Sequence, residues 1–173
     1  MIVVLRIGHR PGRDERVSTH CGLVARALGA SSIIYSGEKD DSLLESVKNV
    51  VDRWGGRFTA SYEENFRGVI KKYKKKKYTV VHLTMYGMPL QKQVTKIRKS
   101  KNLLVVIGAE KVPPDVYQLS DYNIGVTNQP HSEIAALALL LHEYQKGAEL
   151  KRSFPRAKIK IRPCAKGKDI VEK

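Results

Sequence analysis

Short β-branched runs separated by amphipathic helical stripes predict an α/β fold: a mainly parallel sheet with helices on both faces. Ile2-Val-Val-Leu-Arg-Ile7 is one such run, apolar but for a single residue and closed by Gly8, as a buried strand requires. The stripe that follows, Val17, Cys21, Val24, Ala25 and Leu28, has the spacing of one helix face. The same alternation of strand and stripe recurs down the chain, which favours βαβ units over an all-β sandwich.

Taken in order, Gly29 is placed to close the first helix. Residues 32–36 form a second strand. Leu43, Val47, Val50, Val51 and Trp54 then make a stripe between Asp40-Asp41 and Gly55-Gly56. Acidic residues suit a helix N-terminus and glycine its exit, so a second helix is predicted there. Residues 57–61 are a third strand, followed by the stripe Tyr62, Phe66, Val69, Ile70 and Tyr73. Residues 78–84, 103–108 and 123–127 are three more strands. A basic helix over residues 89–100 separates the first two, and a helix over residues 132–146 follows the last. From Arg152 onward the pattern breaks. Residues 157–162 alternate Lys and Arg with Ala and Ile before Pro163, as an exposed edge strand or an appended ribbon does. The expected organisation is therefore one α/β domain, residues 1–147, with a short basic C-terminal extension, residues 148–173.

Charge is the outlier in composition. Hydrophobic residues make up 42% of the 173, enough for a core, but 32 Lys and Arg against 17 Asp and Glu leave a net +15. A surplus of that size on a small domain points to a polyanionic partner, nucleic acid before membrane. The longest apolar run, residues 134–141, is far too short to span a bilayer, and residues 1–7 lack the basic start of a signal peptide. Cys21 and Cys164 stand alone, which excludes zinc fingers, iron–sulfur clusters and a disulfide scaffold. The expectation is a soluble protein of a reducing compartment, the cytoplasm.

No G-x-G-x-x-G follows a strand and there is no G-x-x-x-x-G-K-[ST], H-E-x-x-H or G-x-S-x-G. The five histidines are scattered, so no metal is expected. Three strand exits carry unusual loops: Leu83-Thr-Met-Tyr-Gly87, Gly108-Ala-Glu-Lys-Val112 and Gly125-Val-Thr-Asn-Gln-Pro-His-Ser-Glu133. Ligands of open parallel sheets sit outside the carboxyl ends of the strands, so the three loops can surround one pocket, with glycines allowing close approach of a flat ligand.

The strings Gly8-His-Arg-Pro-Gly-Arg-Asp-Glu-Arg16, His82-Leu-Thr-Met-Tyr-Gly87, Val105-Val-Ile-Gly-Ala-Glu-Lys-Val112 and Asn128-Gln-Pro-His-Ser-Glu-Ile-Ala-Ala136 occur in this order. In them the chain resembles the archaeal tRNA (cytidine-56-2′-O)-methyltransferases, a family of the SPOUT superfamily. The resemblance implies a C-terminal deep trefoil knot, which periodicity cannot reveal because threaded chains are exceptional. It also implies a homodimer that binds S-adenosylmethionine in the knot and methylates the ribose of cytidine 56 in the T loop of tRNA. Matched by position, the cofactor-binding residues would be Leu83, Gly108, Ala109, Glu110, Lys111, Val112, Val126, Thr127, Asn128, Gln129, Pro130, His131, Ser132 and Glu133. Two other readings fit the same charge: a SPOUT methyltransferase acting on a different RNA, and a basic RNA-binding protein without catalysis.

Arg6, Arg10, Arg13, Arg16 and Arg26 are expected to cluster near the first βα connection, and bidentate arginines suit phosphate better than lysines do. Arg10, Arg13 and Arg16 are the candidates for stabilising a developing 2′-alkoxide, because the ribose-methylating relatives use an arginine there. Those relatives carry it inside the first helix, at a position that falls near Leu23 here. The alternative is a solvated loop paired with Asp14 and Glu15. Residues 134–141, apolar all round, call for cover on every side and hence for a second subunit. The lysines at 71, 72, 74–77, 92, 96, 99 and in the tail form either a footprint for RNA backbone or a solvated surface.

Overall fold

The computed structural model describes residues 1–108 and 111–172. Six strands make one all-parallel sheet: β1 (Ile2–His9), β2 (Ser32–Gly37), β3 (Thr59–Tyr62), β4 (Thr79–Pro89), β5 (Leu103–Gly108) and β6 (Tyr122–Gly125). Their order across the sheet is β3-β2-β1-β5-β4-β6. The helices are α1 (Glu15–Ala27), α2 (Asp41–Trp54), α3 (Phe66–Lys75), α4 (Leu90–Ile97), α5 (Pro114–Leu119) and α6 (Glu133–Gln145). A helix after each strand, divided between the two core clusters, puts helices on both faces. One core cluster packs α1, α2, α4 and α6 through Cys21, Val47, Val94 and Leu137. The other holds α3 and α5 through Val69, Ile70 and Val116. Because successive strand residues face opposite ways, Ile2 and Val4 belong to the first cluster and Val3, Leu5 and Ile7 to the second.

Local chemistry explains the boundaries. Asp40 caps α2 by accepting from Leu43 N–H at 3.0 Å, Asn65 caps α3 through Gly68 N–H, and Ser132 caps α6 through Ala135 N–H. Gly55 ends α2 with φ +75°. Third strand and third helix begin later than the sequence pattern predicts, and α4 is shorter, because Pro89 is still paired in β4. α5 was not expected. Its signal is a proline at N1 followed by Asp115, in a helix too short to show a period.

β4 is the unusual strand. Leu83 pairs with Ile124 of β6, the chain bulges out through Thr84–Gly87, and Met88 then pairs with Ile124 again. The tail, expected to be an edge strand or a ribbon, is a ribbon: β7 (Ile159–Arg162) and β8 (Asp169–Glu172) pair antiparallel to each other and to nothing else. It docks where α1 and α2 end. Gly56 N–H donates to the Pro155 carbonyl, Lys158 N–H to that of Arg53, and Arg152 to that of Gly29. α6 buries Ala136, Leu137, Leu140 and Leu141, but its outer face keeps Leu139 49% exposed. Among the described residues, no helix is long and apolar enough to cross a membrane.

Cys21 lies fully buried in the α1 stripe, and burial pushes its thiol up to about 12. The folded chain keeps this proton where the unfolded one loses it, so stability is complete below pH 9.0 and declines as pH rises toward 12. Cys21→Ala flattens that alkaline decline in melts taken at increasing pH. In native protein a thiol reagent titrates the exposed Cys164 alone, and both cysteines once the chain is denatured. Rapid native reaction of both would contradict this burial.

Candidate active site

The strand order reverses between β1 and β5, and the crevice expected at such a switch point is present. The loops after β1 and β5, the bulge within β4, and the loop before α6 with that helix's first turn enclose a cleft of about 860 Å³. Leu83, Val112, Pro113 and Ala136 supply apolar walls, and Arg10, Arg13, Lys111 and His131 supply donors. Gly108 cannot be larger: a Cβ there would meet the Val112 side chain at 2.1 Å.

Two arginine–carboxylate pairs organise the cleft. Arg10 Nε donates to Asp14 at 3.1 Å, four residues on. Burial pushes the Asp14 carboxyl up, but the hydrogen bond and charge of Arg10, with the charge of Arg6, outweigh it and hold the group below its ordinary value. Asp14 is thus an anion that orients Arg10. Arg6, in β1, is completely buried and reaches Glu133 at the start of α6 at 3.4 Å, while its Nε and Nη1 have no hydrogen-bond partner among the described residues. On the opposite wall, Thr84 and Tyr117 share a hydrogen bond of 3.1 Å. Behind them Asn123 Nδ2 donates to the Tyr117 carbonyl, and its Oδ1 accepts from His82 Nδ1 at 2.8 Å. His82 is buried edge-on to Tyr117, and burial lowers its pKa, so it is a neutral packing group.

Of the residues read from sequence, Arg10, Arg13, Leu83, Gly108, Lys111, Val112, His131 and Glu133 line the cleft together. Ala109 and Glu110 lie outside the described residues. Val126, Thr127, Asn128, Gln129, Pro130 and Ser132 do not line it. Asn128 Nδ2 donates to the Met85 carbonyl at 2.6 Å, Gln129 N–H to the Thr127 hydroxyl, and His131 Nδ1 meets the Gln129 carbonyl at 2.7 Å. Val126 packs on the core and Pro130 is exposed. Arg16 opens instead onto a separate depression with His20, Asp40 and Ser46.

The expected five-arginine cluster is not formed. Arg6 is inside the core, and Arg26, at the far end of α1, bonds the Gly55 carbonyl and stacks on Phe154 at 4.4 Å. One helix of 13 residues separates the two ends, about 20 Å. His9 is likewise structural, held between Ser18 at 2.7 Å and Asp40 at 3.1 Å. Sequence reasoning missed Tyr117 on the wall and the buried role of Arg6, and it gave Asp14 as a partner only in the alternative of a solvated loop. Only the Arg10–Asp14 spacing was a usable signal. Among the lysines, Lys74 is spent on Asp121 at 2.9 Å and on the Leu119 carbonyl, which makes it a structural tie. Among the described residues, no group of three His, Cys, Asp or Glu is placed to hold a metal ion.

The chain is 51% identical to the tRNA (cytidine(56)-2′-O)-methyltransferase of Pyrococcus horikoshii, covering 99% of this chain and 85% of that one. It is 49% identical to the enzyme of the same name from Methanopyrus kandleri, over 97% and 94%. By structure it is similar to the A. aeolicus TrmH/SpoU tRNA modifying enzyme, with TM-score 0.64 and 16% identity over 87% of this chain and 76% of that chain. It is also similar to the SpoU methyltransferase AviRb from Streptomyces viridochromogenes in complex with AdoMet, with TM-score 0.62 and 17% identity. That match covers 84% of this chain and 57% of AviRb, and identities so low establish the fold alone. Residues 54–171 match the model of the tRNA ribose 2′-O-methyltransferase family aTrm56, and with relatives this similar over nearly the whole length, the chain belongs to that family.

Proposed function

We propose that this protein methylates the ribose 2′-oxygen of cytidine 56 in tRNA, using S-adenosylmethionine. The observation that carries the reading is the gathering of Arg10, Arg13, Gly108, Lys111 and His131 around one cleft, in a chain about half identical to enzymes named for that reaction. The cleft fits the cofactor: its volume takes a nucleoside with an amino-acid tail, and Leu83, Val112 and Ala136 offer apolar cover. When bound, S-adenosylmethionine supplies an electrophilic methyl group on a sulfonium sulfur.

The chain's own task is to make the 2′-hydroxyl a nucleophile. An arginine is a poor base, with a pKa of about 12.5–13.8. Arg10, oriented by Asp14, and Arg13 therefore stabilise the developing negative oxygen and position the ribose, and a substrate phosphate can accept the proton. Arg10→Ala and Arg13→Ala each lower kcat roughly 10²-fold, the usual loss for one transition-state donor, with cofactor affinity little changed. Arg16→Ala, outside the cleft, stays within a few-fold in kcat, and an equal collapse there would relocate the site.

Several finer features belong to the same proposal. The doubled pairing of β4 with β6 and the Asn128–Met85 bond support a deep trefoil knot formed by the C-terminal part of the sheet. Residues 1–147 are the catalytic domain and 148–173 a basic extension, supported by the ribbon's separate sheet. The exposed Leu139, Tyr86 and Met88 support a homodimer formed over α6 and the β4 bulge. A cytoplasmic location goes with a tRNA substrate. The test is transfer of labelled methyl from S-adenosylmethionine to unmodified tRNA transcript, followed by nucleoside analysis. A single 2′-O-methylcytidine at position 56 is expected. Cofactor binding without transfer would point to another RNA substrate, and no cofactor binding would leave an RNA-binding protein.

A further inference from the structure

A second, smaller cavity of about 270 Å³ opens on the same edge of the sheet, and Lys111 and Pro113 form a wall common to it and the cleft. Its floor is the main chain of Gly8 and Gly37, where β1 and β2 end side by side. Gly37 has φ +126°, and a Cβ there would sit 2.4 Å from the His9 carbonyl oxygen. Neither glycine adds a side chain to the floor, so a planar ring can lie against the main chain there. The rim is braced. Ser36 donates to the Glu64 carbonyl at 2.9 Å, Tyr62 to that of Gly37 at 2.8 Å, and Arg67 lies over Phe66 while paired with Asp115.

One residue in this cavity is out of keeping with the rest. Glu64 is exposed, and no described residue gives its carboxylate a hydrogen bond or an ion pair. On a chain of net +15 built to meet a polyanion, an unpaired anion beside the reaction cleft repels backbone phosphate. It is tolerated if it faces a donor. Among pyrimidines, cytosine offers an exocyclic amine where uracil offers a carbonyl, and a carboxylate accepts from the first and repels the second.

We infer that the cavity walled by Glu64, Phe66 and Gly37 is the pocket for the base of the target nucleotide, with Glu64 accepting from the cytosine amine while the ribose crosses the Lys111–Pro113 wall into the cleft. This rests on the methyltransferase reading for its substrate, but its test does not need turnover. Cytidine 5′-monophosphate is titrated into ¹⁵N-labelled protein, with uridine 5′-monophosphate as the comparison. The Gly37 and Phe66 amides shift with the cytidine nucleotide, at an affinity about tenfold or more above that for uridine, the size expected of one well-placed base-edge contact. Glu64→Gln abolishes the preference and leaves S-adenosylmethionine affinity unchanged. In the methylation assay the same variant loses about tenfold or more in kcat/KM on the natural transcript. On a transcript carrying pyrimidin-2-one at position 56, which lacks only the amine, wild type and variant become equal. Equal binding of both nucleotides, shifts confined to the cleft, or independent losses from the variant and the missing amine would overturn the assignment. Binding as described with no methyl transfer to any tRNA would instead count against the methyltransferase reading and leave the base pocket standing.

Discussion

Alanine at Gly87 is expected to cost more than ordinary overpacking does and to disable the cleft with it. A Cβ there would lie 2.5 Å from both the carbonyl carbon and the nitrogen of Ile124, and 2.7 Å from the carbonyl carbon of Asn123. These are main-chain atoms inside β6, so no side chain can swing away. Ordinary overpacking costs about 1–3 kcal/mol where side chains can yield, and this position exceeds that range. Relief requires the second leg of β4, which pairs Met88 with Ile124 and Pro89 with Gly125, to lift off β6. The lifted segment carries Thr84, Met85 and Tyr86 of the cleft wall and the carbonyl that Asn128 holds. Denaturant unfolding and cofactor binding should therefore fail together. Gly12→Ala is the control, because its φ of +77° is strained but its surroundings are empty, for a cost of roughly 1–2 kcal/mol. If Gly87→Ala matched that control in stability and affinity, the close approach of the two strands would be wrong.

Removing Glu133 is expected to destabilise the fold by about 3–5 kcal/mol, because it strands the buried charge of Arg6. For a chain of this length that is a fall in Tm of roughly 6–20 °C. Arg6→Met is milder: Glu133 keeps 24% of its side chain in solvent and can hydrate. The double variant Arg6→Met/Glu133→Gln recovers much of the loss seen with Glu133→Gln alone, since an apolar side chain then fills the site without charge. Among the described residues Nε and Nη1 of Arg6 have no hydrogen-bond partner, so they already bear a desolvation cost that methionine removes. Strictly additive losses in the cycle would show that the two residues do not act as a pair.

Most of the sheet and its helices were legible in the sequence because they are written locally. The stripes through Val17 to Leu28 and Leu43 to Trp54, and the β-branched runs of β1 and β5, carry their own period and their own glycine stops. The three loops that meet at the cleft were legible too, since parallel strands must present their exits at one edge. What failed was contact between distant segments. Arg6, Arg10, Arg13, Arg16 and Arg26 are close in sequence, yet α1 carries Arg26 to the opposite end, strand pleating turns Arg6 into the core, and the helix surface sends Arg16 to another depression.

By itself the sequence determined the α/β class, the alternation of strands and helices apart from α5, the ends of α2 and the strongly basic composition, since each depends on propensity, spacing or composition. Only the tertiary structure decided that β5 inserts between β1 and β4, that β4 meets Ile124 twice, and that Glu133 comes to neutralise an arginine 127 positions away. A period records which face of an element is apolar, but not which element will cover it. Partners are chosen by shape, register and charge pairing across the whole chain, and these have no local signature.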